Sequence, residues 1–344
     1  MTELARPHIR SGRAMVAVGL LLVLSNVWPA IPATAAPTEN AIQWAVGPAP
    51  SASGETRSTI DYTLPPDTEI TDRVAISNLG AEALTLAVYA TDAFTTPEGS
   101  FTLLTADQRP VDLGSWITFE SPTITIAPGT TVQVPFRMAL PKDATPGDHA
   151  AGIVASRQVP GSADGTTRLA VDQRVGTRVY VRVNGTLSPA LSITKLSVDY
   201  GAAVYPFRNR DAAVTYTVHN SGNIRLGGTG TISLLTPFGT RMAQSQPVSI
   251  PPLLPDESFT ATVAIGGAFP AGRVTARMDL DGVNPPGVVP LDTPHQRQTA
   301  TTWAVPWLLT AVVVAILLAW PGRRFLRTGY LSILRRNRPA AAEL

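Results

Sequence analysis

Cysteine is absent from this chain of 344 residues. It therefore has no disulfide staple, no thiolate metal site and no lipid-modified cysteine. Lysine is confined to Lys142 and Lys195, and charged residues make up only 15% of the chain. Catalytic signatures are missing as well: there is no G-x-S-x-G, H-E-x-x-H, Walker loop or G-x-G-x-x-G. The histidines, His8, His149, His219 and His295, are scattered without metal-ligand spacing. Asp279-Leu-Asp281-Gly282 begins like a calcium loop but lacks the third acid and the closing glutamate. These absences point away from an enzyme, a cofactor or a metal. The pI near 9.1 does not indicate nucleic acid either, because the arginines gather at the two termini and the middle is nearly balanced.

What the chain does have is an uncharged apolar run, Trp303 to Trp320. As a helix at ~1.5 Å per residue it would cover ~27 Å, near the ~30 Å of a bilayer core. Trp303, Trp307 and Trp320 sit near its ends, where indoles prefer the membrane interface. Arg323, Arg324, Arg327, Arg335, Arg336 and Arg338 follow, against the single acid Glu343. The positive-inside rule then predicts a transmembrane helix over 303–322, a cytoplasmic tail over 323–344 and everything upstream outside the cell membrane. Residues 1–36 read as a secretory signal, with Arg6, Arg10 and Arg13 before an apolar core at 14–24 and Ala33-Thr34-Ala35 for cleavage. An uncleaved N-terminal anchor is the alternative. Residues 37–54 read as a flexible lead-in holding one isolated hydrophobic group, Trp44.

Between these ends the pattern alternates. Val74 and Ile76, then Leu84, Leu86 and Val88, then Val132, Val134, Phe136, Met138 and Leu140 hold a period of two. Asn78-Leu-Gly80, Pro128-Gly129 and Pro146-Gly147 separate the strands with turn chemistry. The plan recurs downstream. Val218-His-Asn220-Ser-Gly222 echoes Ile76-Ser-Asn78-Leu-Gly80, and Pro270-Ala-Gly272 echoes Pro146-Gly147. The fold class expected is all-β: two tandem immunoglobulin-like antiparallel β-sandwiches, 55–185 and 186–282, plus one C-terminal transmembrane helix. Residues 283–302, with Pro285, Pro286, Pro290 and Pro294, read as a semi-rigid stalk.

Two places hold candidate functional residues. His149 follows Pro-Gly-Asp at a strand start and reads as a structural corner residue rather than a ligand or base. The stretch from Thr91 to Ser121 looks irregular and carries Phe94, Phe101, Trp116 and Phe119, enough aromatic area for a binding loop or for core. Phe94, Phe101 and Trp116 are the candidate ligand-binding residues. A sandwich-fold hydrolase would need two positioned carboxylates, for which Asp92, Asp107 and Asp112 are scattered candidates and nothing more.

The region from Ile60 to Ala155 resembles the peptidoglycan-binding domain of the WxL-interacting proteins of Gram-positive bacteria. The resemblance lies in Tyr62-Thr-Leu-Pro-Pro, Val74-Ala-Ile-Ser-Asn78, Ala90-Thr-Asp-Ala-Phe94 followed by Gly99, Ile126-Ala-Pro-Gly129, and Leu140-Pro-Lys-Asp-Ala-Thr-Pro-Gly147 followed by Ala151-Gly152-Ile153. It implies a non-enzymatic, single-pass cell-envelope protein whose first sandwich holds peptidoglycan, an exported surface protein, or both. The alternative is an ectodomain that scaffolds an exported or membrane protein complex without wall affinity.

Overall fold

The computed structural model describes residues 43–51, 54–160, 170–201, 210–270, 272–284, 291–293 and 295–319. The signal expected over 1–36 and the basic tail at 323–344 lie outside the described residues. The chain is mostly β. The first half contains β1 (Trp44–Pro48), β2 (Ile60–Leu64), β3 (Glu69–Asn78), β4 (Leu84–Thr95) and β5 (Phe101–Leu103). A single helical turn, α1 (Leu113–Trp116), leads into β6 (Ile117–Phe119), β7 (Thr123–Ile126), β8 (Thr131–Ala139), β9 (Gly147–Pro160) and β10 (Ala170–Val183). One sheet runs β1-β3-β8-β6. The facing sheet runs β2-β10-β9-β4-β5, with β7 beside β4.

The second half contains β11 (Leu191–Asp199), β12 (Arg210–Asn220), β13 (Leu226–Leu235), β14 (Arg241–Gln244), β15 (Val248–Leu253), β16 (Ser258–Ala268), β17 (Gly272–Val283) and β18 (Gln296–Ala304). Its sheets run β11-β12-β16 and β14-β13-β17-β18, with β15 beside β13.

Alternation explains the layers. Leu84, Leu86 and Val88 of β4 face Val74, Ile76, Val134, Phe136 and Met138 of the opposite sheet, and Val179, Val181 and Val183 of β10 complete the cluster. A second, separate cluster fills the other sandwich, with Val214, Tyr216 and Val218 of β12 against Ile232, Leu234, Met278 and Leu280.

Four expectations change. Trp44 is not part of a flexible lead-in. It is buried, its strand pairs with β3 over five residues, and its indole N–H donates to the Ala155 carbonyl at 3.2 Å. A tryptophan with both its ring and its N–H satisfied by the sandwich is held as core. The pairing is not wholly antiparallel, since β2 runs parallel to β10 from Ile60↔Val179 to Leu64↔Val183. The stalk at 283–302 is shorter than its prolines imply, because Gln296–Ala304 forms β18 and pairs with β17 along nine positions. Trp303 and Ala304 therefore belong to the second sandwich, and the apolar helix occupies residues 307–319. Among the described residues no helix is long and apolar enough to cross a membrane.

Candidate functional site

The stretch from Thr91 to Ser121 is largely ordered by one carboxylate. Asp92, on β4, accepts hydrogen bonds from the backbone N–H groups of Val111, Asp112 and Gly114 at 2.6, 2.9 and 2.7 Å. This folds the loop back over the strand and sets α1 in place, with Leu113 in the core. The tip of the β4–β5 hairpin packs on the second sandwich. Thr260 N–H donates to Pro97 O at 2.7 Å, and Gly99 lies against Pro251 and the Phe259 ring.

The three aromatic candidates are not brought together. Phe94 and Trp116 are half-buried; Phe94 shares the Asp92 face of β4, while Trp116 packs on the first core and against His149, with ring centroids 4.8 Å apart. Phe101 lies on the opposite, outer face of the sheet, where it meets Tyr180 edge-on at 5.9 Å. Phe119 packs beside Phe136 of the core at 6.2 Å.

Around Phe101 the outer face is shaped into a groove of about 290 Å³. Arg174, Gly176, Arg178, Tyr180 and Arg182 project from β10 on this face, because alternate strand residues share a side. Gly176, between two arginines, lets Val154 and Leu103 close over the floor, 3.3 and 3.5 Å from where its Cβ would be. Leu103 forms one wall by lying directly on Gly152, where a Cβ would sit 2.4 Å from its Cδ1. The Arg178 guanidinium rests 4.7 Å from the Phe101 ring centroid and, among the described residues, makes no ion pair. Arg174 is tied down, donating to Leu104 O at 3.0 Å and lying 3.7 Å from Asp172. One exposed cation stacked on one aromatic ring, beside an apolar floor of Leu103 and Val154, suits a flat polar ligand that carries negative charge. The alternation Arg-x-Gly-x-Arg was visible in the sequence, but its neighbours were not.

The junction of the two sandwiches is the second notable constellation. Gly147 has φ +130, and a Cβ there would lie 2.0 Å from Asn223 O. Only glycine allows this approach. Asn223 Nδ2 then donates to Pro146 O and Thr186 O, both at 2.8 Å. Asp148 is gripped by Arg182 at 2.6 and 2.7 Å and accepts the Arg225 N–H at 2.7 Å. The Arg225 guanidinium lies 3.7 Å over the Tyr180 ring.

Beside it, His149 Nδ1 is 2.7 Å from Asp112 and Nε2 is 2.9 Å from Thr145 O. Burial opposes charge on the ring, but these two acceptors outweigh it and raise the His149 pKa above its usual value. Thr145, His149 and Asp112 line up like a hydrolytic trio, yet both ring nitrogens already face acceptors, so no lone pair is left to take a proton from Thr145. His149 is thus the corner residue that its place after Pro-Gly-Asp implies. Among the described residues, no group of His, Cys, Asp or Glu is placed to hold a metal.

No protein-family model matches the chain, and no curated protein matches it. Solved structures similar to it include a chaperone–tip adhesin complex of CFA/I fimbriae biogenesis, at 10% identity and TM-score 0.35, covering 77% of this chain and 100% of that one. The class 5 fimbriae chaperone CfaA is similar at 10% identity and TM-score 0.34, covering 72% and 96%. The YadV chaperone is similar at 12% identity and TM-score 0.30, covering 76% and 100%. At such scores the likeness carries neither a function nor a partner to this chain.

Proposed function

We propose that this chain is a non-enzymatic, membrane-anchored protein of the cell envelope whose first sandwich binds peptidoglycan, an exported surface protein, or both. The apolar helix at 307–319, within the uncharged run Trp303 to Trp320 that the arginines follow, is the anchor. The observation that carries the binding assignment is the open groove where Arg178 lies on Phe101. A sugar ring can stack on such a surface while the guanidinium meets the carboxylates of peptidoglycan. The resemblance of residues 60–155 to the wall-binding domain of WxL-interacting proteins points the same way.

The test is retention of the full-length protein, in detergent, on purified peptidoglycan. Phe101→Ala and Arg178→Ala should each cut retention about tenfold or more, as aromatic and arginine anchors do, with the melting temperature unchanged. Trp116→Ala, a packing residue, should lower stability first. If the wild-type protein is never retained by the wall, the scaffold reading replaces this one.

A further inference from the structure

The far end of the second sandwich is built differently from the end that meets the first. β13 runs toward it and pairs Leu235 with Thr275 near the start of β17. That start in turn pairs Gly272 with Ala304 and Arg273 with Trp303 at the close of β18. The β13–β14 turn, the β16–β17 turn and the last residues of β18 therefore gather at one end. Each presents an aromatic ring to solvent: Phe238 is 95% exposed, Phe269 43% and Trp303 73%.

Phe238 is not exposed through slack. Its turn is closed by Thr236 N–H to Thr240 O at 2.9 Å, Gly239 N–H to Thr236 O at 3.0 Å and Thr240 N–H to the Thr236 hydroxyl at 3.2 Å. One exposed phenylalanine would mean little, but three exposed rings at one end of a sandwich mark a surface for something apolar. Arg210, Arg241 and Arg273 are exposed at the same end, against Asp199 and Asp211. Only Val305 and Pro306 separate β18 from the apolar helix, so that helix starts from this end too.

The geometry points to a membrane-docking face: Phe238, Phe269 and Trp303 sit in the interfacial layer of the bilayer that the helix enters, and Arg241 and Arg273 meet its anionic headgroups. Aromatic rings favour that layer, and arginines beside anionic lipid add to the attraction. This rests on the membrane-anchor reading above and adds a second contact to it. The second sandwich would lie against the lipid rather than swing from a tether.

The chain has no cysteine, so single-cysteine spin labels report without background. The full-length protein is reconstituted into phosphatidylcholine vesicles containing phosphatidylglycerol, with labels at Phe238→Cys, Val313→Cys in the apolar helix, or Leu79→Cys in the turn at the opposite pole of the first sandwich. Relaxation by oxygen and by a water-soluble nickel chelate reads depth, and a melting curve confirms each variant's fold. The expected result is a 238 label several-fold less accessible to nickel than the 79 label, with Arg241→Glu plus Arg273→Glu restoring that access. If 238 is as nickel-accessible as 79 while 313 is in lipid, docking is wrong and the anchor stands. If 313 is also nickel-accessible, the anchor reading falls and docking falls with it.

Discussion

Asn78 and Asn220 perform the same task in the two sandwiches. Each is buried at the end of a strand, each side-chain oxygen accepts the N–H of the glycine two residues on, and each amide donates to carbonyls across the sandwich. Asn78 reaches Glu82 O and Ile126 O at 2.7 and 3.0 Å, and Asn220 reaches Ile224 O and Leu253 O at 2.8 and 3.0 Å. The short side chain ties a turn, a loop and a neighbouring strand together at one point.

Replacing either asparagine with alanine leaves buried carbonyls and one N–H without partners, each worth ~1–3 kcal/mol. Chemical denaturation of Asn78→Ala and Asn220→Ala should show losses of at least that size. If both variants unfold at the wild-type midpoint, the amides are not structural ties.

Gly147→Ala should loosen the junction. The new methyl meets Asn223 O in a backbone region that costs ~1–3 kcal/mol for other residues. Wild-type sandwiches joined by Asn223 and the Asp148–Arg182–Arg225 group should melt together. Calorimetry of the variant should separate two transitions. A single unshifted transition would mean the junction carries no coupling.

Protonated His149 should stabilise the fold. Its folded pKa is raised, so the contribution is complete below the unfolded value of ~6.5 and disappears as pH climbs through the folded value. Unfolding free energy should therefore fall on the alkaline side of ~6.5. In His149→Gln that dependence should flatten. Equal slopes in the two proteins would refute the assignment.

Asp92→Ala should free the loop from Ala106 to Gly114 by removing the acceptor of three N–H groups, a loss of ~3 kcal/mol or more for a charged hydrogen-bonding centre. Amide exchange at Val111, Asp112 and Gly114 should rise sharply while the β8 core stays protected. Unchanged exchange at these amides would show that the loop is held by other contacts.

Much of the β pattern was readable because alternation is a local property: Val132 to Leu140 announces β8 by itself. The repeat of Asn-x-Gly was also readable, and the structure gives it one physical meaning twice. Long-range pairing was not. Trp44 stands alone among Pro, Ala and Ser, and only β3 reveals it as core. Gln296–Ala304 is polar and follows four prolines, so nothing local distinguishes β18 from a stalk. That the aromatic candidates would not be brought together was hidden for the same reason. Phe101 and Trp116 are fifteen positions apart in sequence, yet Phe101 stands on the outer face of its sheet while Trp116, in α1, packs on the core side, and the partners that make Phe101 interesting, Arg178 and Tyr180, come from β10. Asp92, the residue that organises the loop, stood in the motif Ala90-Thr-Asp-Ala-Phe94, but nothing local showed that it would accept three N–H groups from some twenty residues on.

The shortness of the link between Ala304 and the apolar helix has a mechanical consequence. With two residues between strand and helix, the strand direction and the helix tilt are not independent. β17 spans twelve residues, ~40 Å at the usual rise, with the first sandwich at one end and the helix at the other. On the membrane reading, the second sandwich is a strut of fixed height. The groove at Phe101 would sweep a shell one strut-length above the lipid, and only polymer at that altitude would be within its grasp.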